Sequence, residues 1–139
     1  IQRNRDTLLL RARAEKQRVA IALDVPEGPI EVAGRAGELR LAVLNLAANA
    51  LDAMPHGGQL TLRLTTGNGF ATICVSDTGP GIPEALWPRV WDLSFSSKGQ
   101  GSGLGLHVVR NVAHAHGGAA TLDPSDSGTR FSILLPLRT

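Results

Sequence analysis

Cysteine occurs once in these 139 residues, at Cys74, so no internal disulfide can form and a reducing compartment is the expected setting. No apolar run approaches the roughly 18 residues that a membrane-spanning helix requires, and no signal peptide opens the chain. The formal charge is only +2 and is scattered, which leaves no basic patch for nucleic acid. There is no internal repeat, no low-complexity tract, no Walker A pattern and no dinucleotide fingerprint with strand–loop–helix spacing. What is present suits one folded domain: hydrophobic residues make up 42% and charged residues 19%, a balance of globular rather than disordered chains. Because the first residue is Ile1, a longer parent is expected. This portion is expected to be cytoplasmic, and an anchor elsewhere in the parent stays open.

Periodicity predicts a helix over Ile1 to Arg18, whose basic run Arg11 to Arg18 reads as a solvated face. Val19 to Val25 alternates and predicts a strand, with "IEVAG" a second short one. A Leu/Ala-rich helix follows from about Ala36 to Met54, stopped by "PHGG". Gln59 to Thr66 and Phe70 to Asp77 flank "GNG" and predict a hairpin. Pro83 can open a short helix to about Trp87, in a region otherwise without periodicity up to Ser102; long irregular loops in compact domains are usually functional. A helix from about Leu104 to His116 ends at Gly117, and the remainder reads as a closing hairpin. Strands in antiparallel pairs between helices predict an α+β two-layer sandwich, one sheet with helices on one face.

Asn45, Asn49 and Asp52 fall within about a 60° arc of a nearly all-apolar helix. Both a solvated edge and a ligand-facing cleft fit that stripe. Lys, Glu or Gln would serve a wet edge better, because they favour helix more than Asn does. Amide oxygens and a carboxylate are hard ligands of the kind a hydrated Mg²⁺ accepts. "DTGPGIP" (Asp77 to Pro83) follows a strand, and its glycines permit close backbone approach to a ligand. "GQGSGLGL" (Gly99 to Leu106) runs into a helix N-terminus, which suits a phosphate. A turn and a flexible loop explain either stretch taken alone.

Taken together, helical N-x-x-x-N, then D-T-G-P-G-I, then G-x-G-L-G-L resembles the N, G1 and G2 boxes of the gyrase/chaperone/histidine-kinase/MutL ATP-binding superfamily. The resemblance spans about residues 19 to 137. It is strongest to the catalytic domain of sensor histidine kinases, and "NLAANALDAM" with "SFSSKGQGSGLGLHVVRNVAHAHGG" looks most like the nitrogen-regulation type. It implies the Bergerat ATP-binding fold, a two-layer α/β sandwich with a mixed, mostly antiparallel sheet. Residues 1–18 would then be helix and linker from a missing dimerisation domain, and 19–139 the catalytic domain.

The resemblance also implies roles. Asn49 matches the Mg²⁺ ligand and Asn45 a polar position at the cleft. Asp77 matches the acceptor of the adenine amino group. Gly79, Gly81 and Ile82 match the adenine pocket, and Gly101, Ser102, Gly103, Leu104 and Gly105 the phosphate-binding box. Thr129 matches a threonine near the adenine, and Phe95 with Lys98 resembles the lid, Lys98 as a phosphate contact. The hydrolysing branches of the superfamily carry a glutamate where Asn45 stands; an amide cannot take up a proton from water, whereas neutral imidazole already has a lone pair. Asn45 therefore favours phosphoryl transfer to histidine over hydrolysis by a clamp, and the intact boxes argue against a degenerate scaffold. Two departures stand out. Asp52 takes a position that is basic in many relatives. Ser94 precedes Phe95 where a second phenylalanine is usual, with Trp91 holding an earlier aromatic position. His56, His107, His114 and His116 precede no acidic residue, as an acceptor histidine would, and read as surface or C-terminal histidines. The implied partners are ATP with Mg²⁺, a histidine-bearing dimerisation domain of the same, homodimeric parent, and a response regulator; nucleic acid is not among them.

Overall fold

A computed structural model describes residues 2–28, 30–92, 104–125 and 127–138, without the side chains of 2–7 and 104. The chain runs α1 (Gln2–Gln17), β1 (Val19–Asp24), α2 (Ala36–Ala53), β2 (Gly58–Gly67), β3 (Phe70–Asp77), a 3-10 helix (Glu84–Arg89), α3 (Leu104–Ala115), β4 (Ala119–Asp123) and β5 (Thr129–Pro136). The five strands form one sheet in the order β1-β2-β3-β5-β4. The α+β sandwich with a mixed sheet is the fold expected from the sequence.

The β2–β3 hairpin turns at Asn68 and Gly69, both at positive φ (55° and 83°), the conformation that a tight two-residue hairpin demands. One expectation needs correction. β1 does not pair with "IEVAG"; it pairs in parallel with β2, Val19 opposite Gly58, while Val32 makes only an isolated bridge to Leu137. A parallel neighbour requires a crossover, and α2 supplies it. The stretch ends at Gly34, where a Cβ would overlap the His116 ring, so the chain bends there toward α2 instead of extending a strand.

Period-2 alternation sorts the sheet into two faces. Leu60 and Leu62 of β2, Ala71, Ile73 and Val75 of β3, and Phe131, Ile133 and Leu135 of β5 share one face, in register. This face packs against Leu46, Ala47, Ala50, Leu51 and Met54 from α2 and Leu106, Val109, Val112 and Ala113 from α3 to form the core. Continuing the same count by twos brings Asp77 and Thr129 onto the core face, opposite each other at the strand ends. Both are 5% exposed. A carboxylate under a helix layer must be satisfied by its surroundings, and this one stands at the strand end where the turn begins that carries "DTGPGIP".

α1 docks through buried Ala14 and through side-chain bonds to the end of α2. Gln17 Nε2 donates to the carbonyls of Leu51 (2.8 Å) and Met54 (3.0 Å), which also accept the Met54 and Gly57 N–H groups at the end of α2. Arg13 pairs with Asp52. The basic run, expected as a solvated face, is docked at Arg13.

Candidate functional site

The Asp77 end of the sheet is built by close backbone approach. Asp77 Oδ1 accepts the Gly79 N–H at 2.9 Å, so the turn after β3 folds back on the carboxylate. A Cβ on Gly79 would press on the Ala53 carbonyl oxygen at 2.8 Å; only glycine lets the turn lie against the last turn of α2. Gly81 sits at φ +81°, and a Cβ there would lie 3.0 Å from the Gly128 carbonyl oxygen. Gly128, at φ +74°, is tighter still, since its Cβ would overlap the Asp77 carbonyl. Thr78 joins the layers: its Oγ1 accepts the Gln59 N–H at 2.9 Å and donates to Met54 Sδ at 3.6 Å.

A cavity of about 500 Å³ opens beside these turns. Gly81, Ile82 and Thr129, all predicted site residues, line it together with Trp87, Leu122 and Gly128. Trp87 Nε1 donates to the Ile82 carbonyl at 2.9 Å and thereby pins the wall. Asp123, also in the lining, has its oxygens taken by Thr121 Oγ1 (2.8 Å) and Ser132 Oγ (2.5 Å). Asp77 is not in the lining; this cavity is a neighbour of the buried carboxylate, not its container.

On α2, Asn45 and Asn49 are half-buried and Asp52 is exposed. From Leu41 to Ala53 the helix is otherwise apolar and buries Ala42, Leu46, Ala47, Ala50 and Leu51, so the amides share its polar side. Gly105, in the first turn of α3, faces Asn45; a Cβ there would stand 3.7 Å from the Asn45 Cβ. The start of α3 and the asparagine stripe are thus adjacent, as the sequence pattern requires. At the other end of α2, the bond to Glu38 and then the attraction of its charge push the Arg35 guanidinium up from its ordinary value.

The structure brings together Asp77, Thr129, Gly79 and Gly81 at the strand ends, and Asn45 with Gly105 at the α2–α3 contact. Phe95, Lys98, Gly101, Ser102 and Gly103 lie outside the described residues. Leu104 begins α3. Trp91, the earlier aromatic position, is partly buried and packs against the core, its ring meeting Phe131 edge-on with centroids 5.5 Å apart.

Two histidines are also not simple surface groups. His107 Nδ1 faces the Trp91 carbonyl (3.2 Å), which only accepts, so that nitrogen carries the proton and Nε2 accepts from Asn111. His116 Nδ1 likewise donates to the Val112 carbonyl (2.8 Å) and Nε2 accepts the Arg35 N–H (3.0 Å), tying the end of α3 to the start of α2. His56 and His114 are exposed.

Sequence reasoning missed Gly128, Thr78 and Trp87. A glycine directly before a strand threonine looks like any turn, and only the register of β3 with β5 shows what it must clear.

Among the described residues no group of three His, Cys, Asp or Glu side chains could cage a metal. An amide pair beside a helix start still fits Mg²⁺, which keeps most of its waters and takes the rest of its shell from phosphates.

Comparison with known proteins places these features in a family. Residues 34–139 match the family described as histidine kinase-, DNA gyrase B- and HSP90-like ATPase. The sensor histidine kinase GtrS of Pseudomonas aeruginosa is 39% identical over 118 residues, 79% of this chain and 25% of that protein. The structure of the mycobacterial sensor histidine kinase MprB superposes with a TM-score of 0.85 at 34% identity, covering 98% of this chain and 93% of that one. Full-length ShkA in complex with AMPPNP superposes with a TM-score of 0.82 at 26% identity, covering 99% of this chain and 29% of that one. The chain spans about a quarter of the length of the curated relatives it matches.

Proposed function

This chain belongs to the histidine kinase-, DNA gyrase B- and HSP90-like ATPase family, and from that premise we propose that it is the ATP-binding catalytic domain of a sensor histidine kinase. Its task is to hold ATP while a histidine on a separate dimerisation domain takes the γ-phosphoryl group, for relay to an aspartate of a response regulator. Residues 19–139 are the catalytic unit, and 1–18 continue from the dimerisation domain of a homodimeric parent.

The observation that carries this reading is the carboxylate of Asp77, placed on the core face opposite Thr129 and held by the Gly79 N–H. A buried acceptor at the rim of a helix layer suits the exocyclic amine of adenine and disfavours guanine, which offers a carbonyl there. Gly79 and Gly81 let the backbone approach the purine. Asn49 supplies an amide oxygen to Mg²⁺, which when bound neutralises phosphate charge. Asn45, against Gly105, lines the stripe where the phosphates meet the start of α3, whose free N–H groups favour anions. Gly101, Ser102, Gly103 and Leu104 are assigned to phosphate binding on the resemblance of the G-x-G-L-G-L box. On the resemblance of the family's boxes, Phe95 and Lys98 are assigned to nucleotide contact, Lys98 with a phosphate.

Neither asparagine of this stripe can act as a general base, and none is needed: the lone pair of neutral imidazole attacks phosphorus, the bond to ADP breaks and an N–P bond forms. Catalysis rests on positioning and charge neutralisation. The test is to mix the chain with labelled ATP and the parent's separately expressed histidine-bearing hairpin. Label on the hairpin histidine is the expected result. Steady ATP turnover with no labelled histidine would overturn the reading in favour of a hydrolysing ATPase.

A further inference from the structure

The polar stripe of α2 has an electrostatic problem. Asn45 and Asn49 are neutral and Asp52 is a carboxylate, so the stripe itself carries negative charge where a polyanion is to bind. The answer comes from α1, outside the residues 34–139 that match the family. Arg13 Nη2 donates to Asp52 Oδ1 at 2.5 Å, and Arg13 Nε donates to Gln17 Oε1 at 2.6 Å. Gln17 is itself fixed by its two bonds to the carbonyls of Leu51 and Met54. The guanidinium is therefore held on two edges against the last turn of α2, and these bonds engage two of its five N–H donors. The side chains of the pair are 40% and 43% exposed, so the pair adds little to stability.

We propose that Arg13 is a phosphate contact of the nucleotide site. Asp52 positions it: the carboxylate does not touch the ligand but holds the α1 guanidinium at the rim of the Asn45–Asn49 stripe, turning a repulsive position into a cationic one. The proposal rests on the nucleotide reading above and adds to it the source of a cation. It also makes phosphate affinity depend on the docking of α1.

Calorimetry with Mg·AMPPNP and with adenosine, on the 139-residue chain, tests it. Arg13→Ala should weaken AMPPNP about fivefold at low salt, leave adenosine unchanged, and lose its effect as ionic strength rises. Adding Asp52→Lys to Arg13→Ala should restore AMPPNP affinity to within about twofold, because the cation then stands on α2 itself. An unchanged AMPPNP affinity in Arg13→Ala, an equal loss for adenosine, or no restoration in the double variant would each overturn the proposal. Wild-type chain that bound neither compound would instead overturn the nucleotide reading beneath it.

Discussion

The two halves of the candidate site are built in different ways. At the strand ends, Asp77 and Thr129 are buried, and Gly79, Gly81 and Gly128 leave no room for a Cβ without pressing on neighbouring backbone. Around the α2 stripe, Asn45 and Asn49 are half-buried, Asp52 and Arg13 of α1 reach solvent, and Gly105 of α3 has ordinary space around it. The first half is shaped by backbone, and a side chain at any of its three glycines would disturb the fold. The second is shaped by side chains and charge. A rigid planar base suits the former, and a flexible triphosphate with its counter-ion suits the latter.

Substitutions can break that contrast, beginning where the effect is largest. Gly128→Ala combines a positive φ with overlap on the Asp77 carbonyl and should cost about 3 kcal/mol of stability, read as a lowered denaturant midpoint. Next is Asp77→Asn, which keeps an oxygen for the Gly79 N–H. It should fold nearly as well as the wild type yet lose about ten- to a hundredfold in ATP affinity, because a charged acceptor has become a neutral one. Equal losses of stability and affinity would show that Asp77 serves the fold alone. Asn49→Ala should cost about tenfold, and only in the presence of Mg²⁺; titration with and without EDTA separates the two. The smallest effect on the fold belongs to Gly105→Ala, which should shift stability by less than about 0.5 kcal/mol, since the new methyl meets Asn45 at ordinary contact distance. A large loss there would erase the contrast.

Much of this was legible in the pattern of residues. Alternation in β2 and β3 and the Asn68–Gly69 turn specify their hairpin without help from the rest of the chain. Counting by twos from Val75 already points Asp77 toward the core, and the Asn45–Asn49 spacing puts both amides on one side of α2. Contacts that close across the sequence were not legible. Val32 looks like a strand residue but finds only a bridge, because β1 takes the neighbouring edge of β2 through the α2 crossover. The Arg13–Asp52 pair joins positions 39 apart on two helices, and no local pattern announces it. Gly128 reads as a common turn glycine until β5 is laid beside β3. His107 and His116 read as surface residues, yet each ring spans two elements, a fact carried by helix packing and not by spacing.

The most direct measurement of the central claim is a structure of the chain with Mg·AMPPNP bound. The account predicts the purine amine on the Asp77 carboxylate, the metal on the Asn49 amide, and the triphosphate lying along α2 toward the start of α3. A nucleotide seated elsewhere, or one whose base leaves Asp77 untouched while its phosphates avoid Asn49, would contradict it.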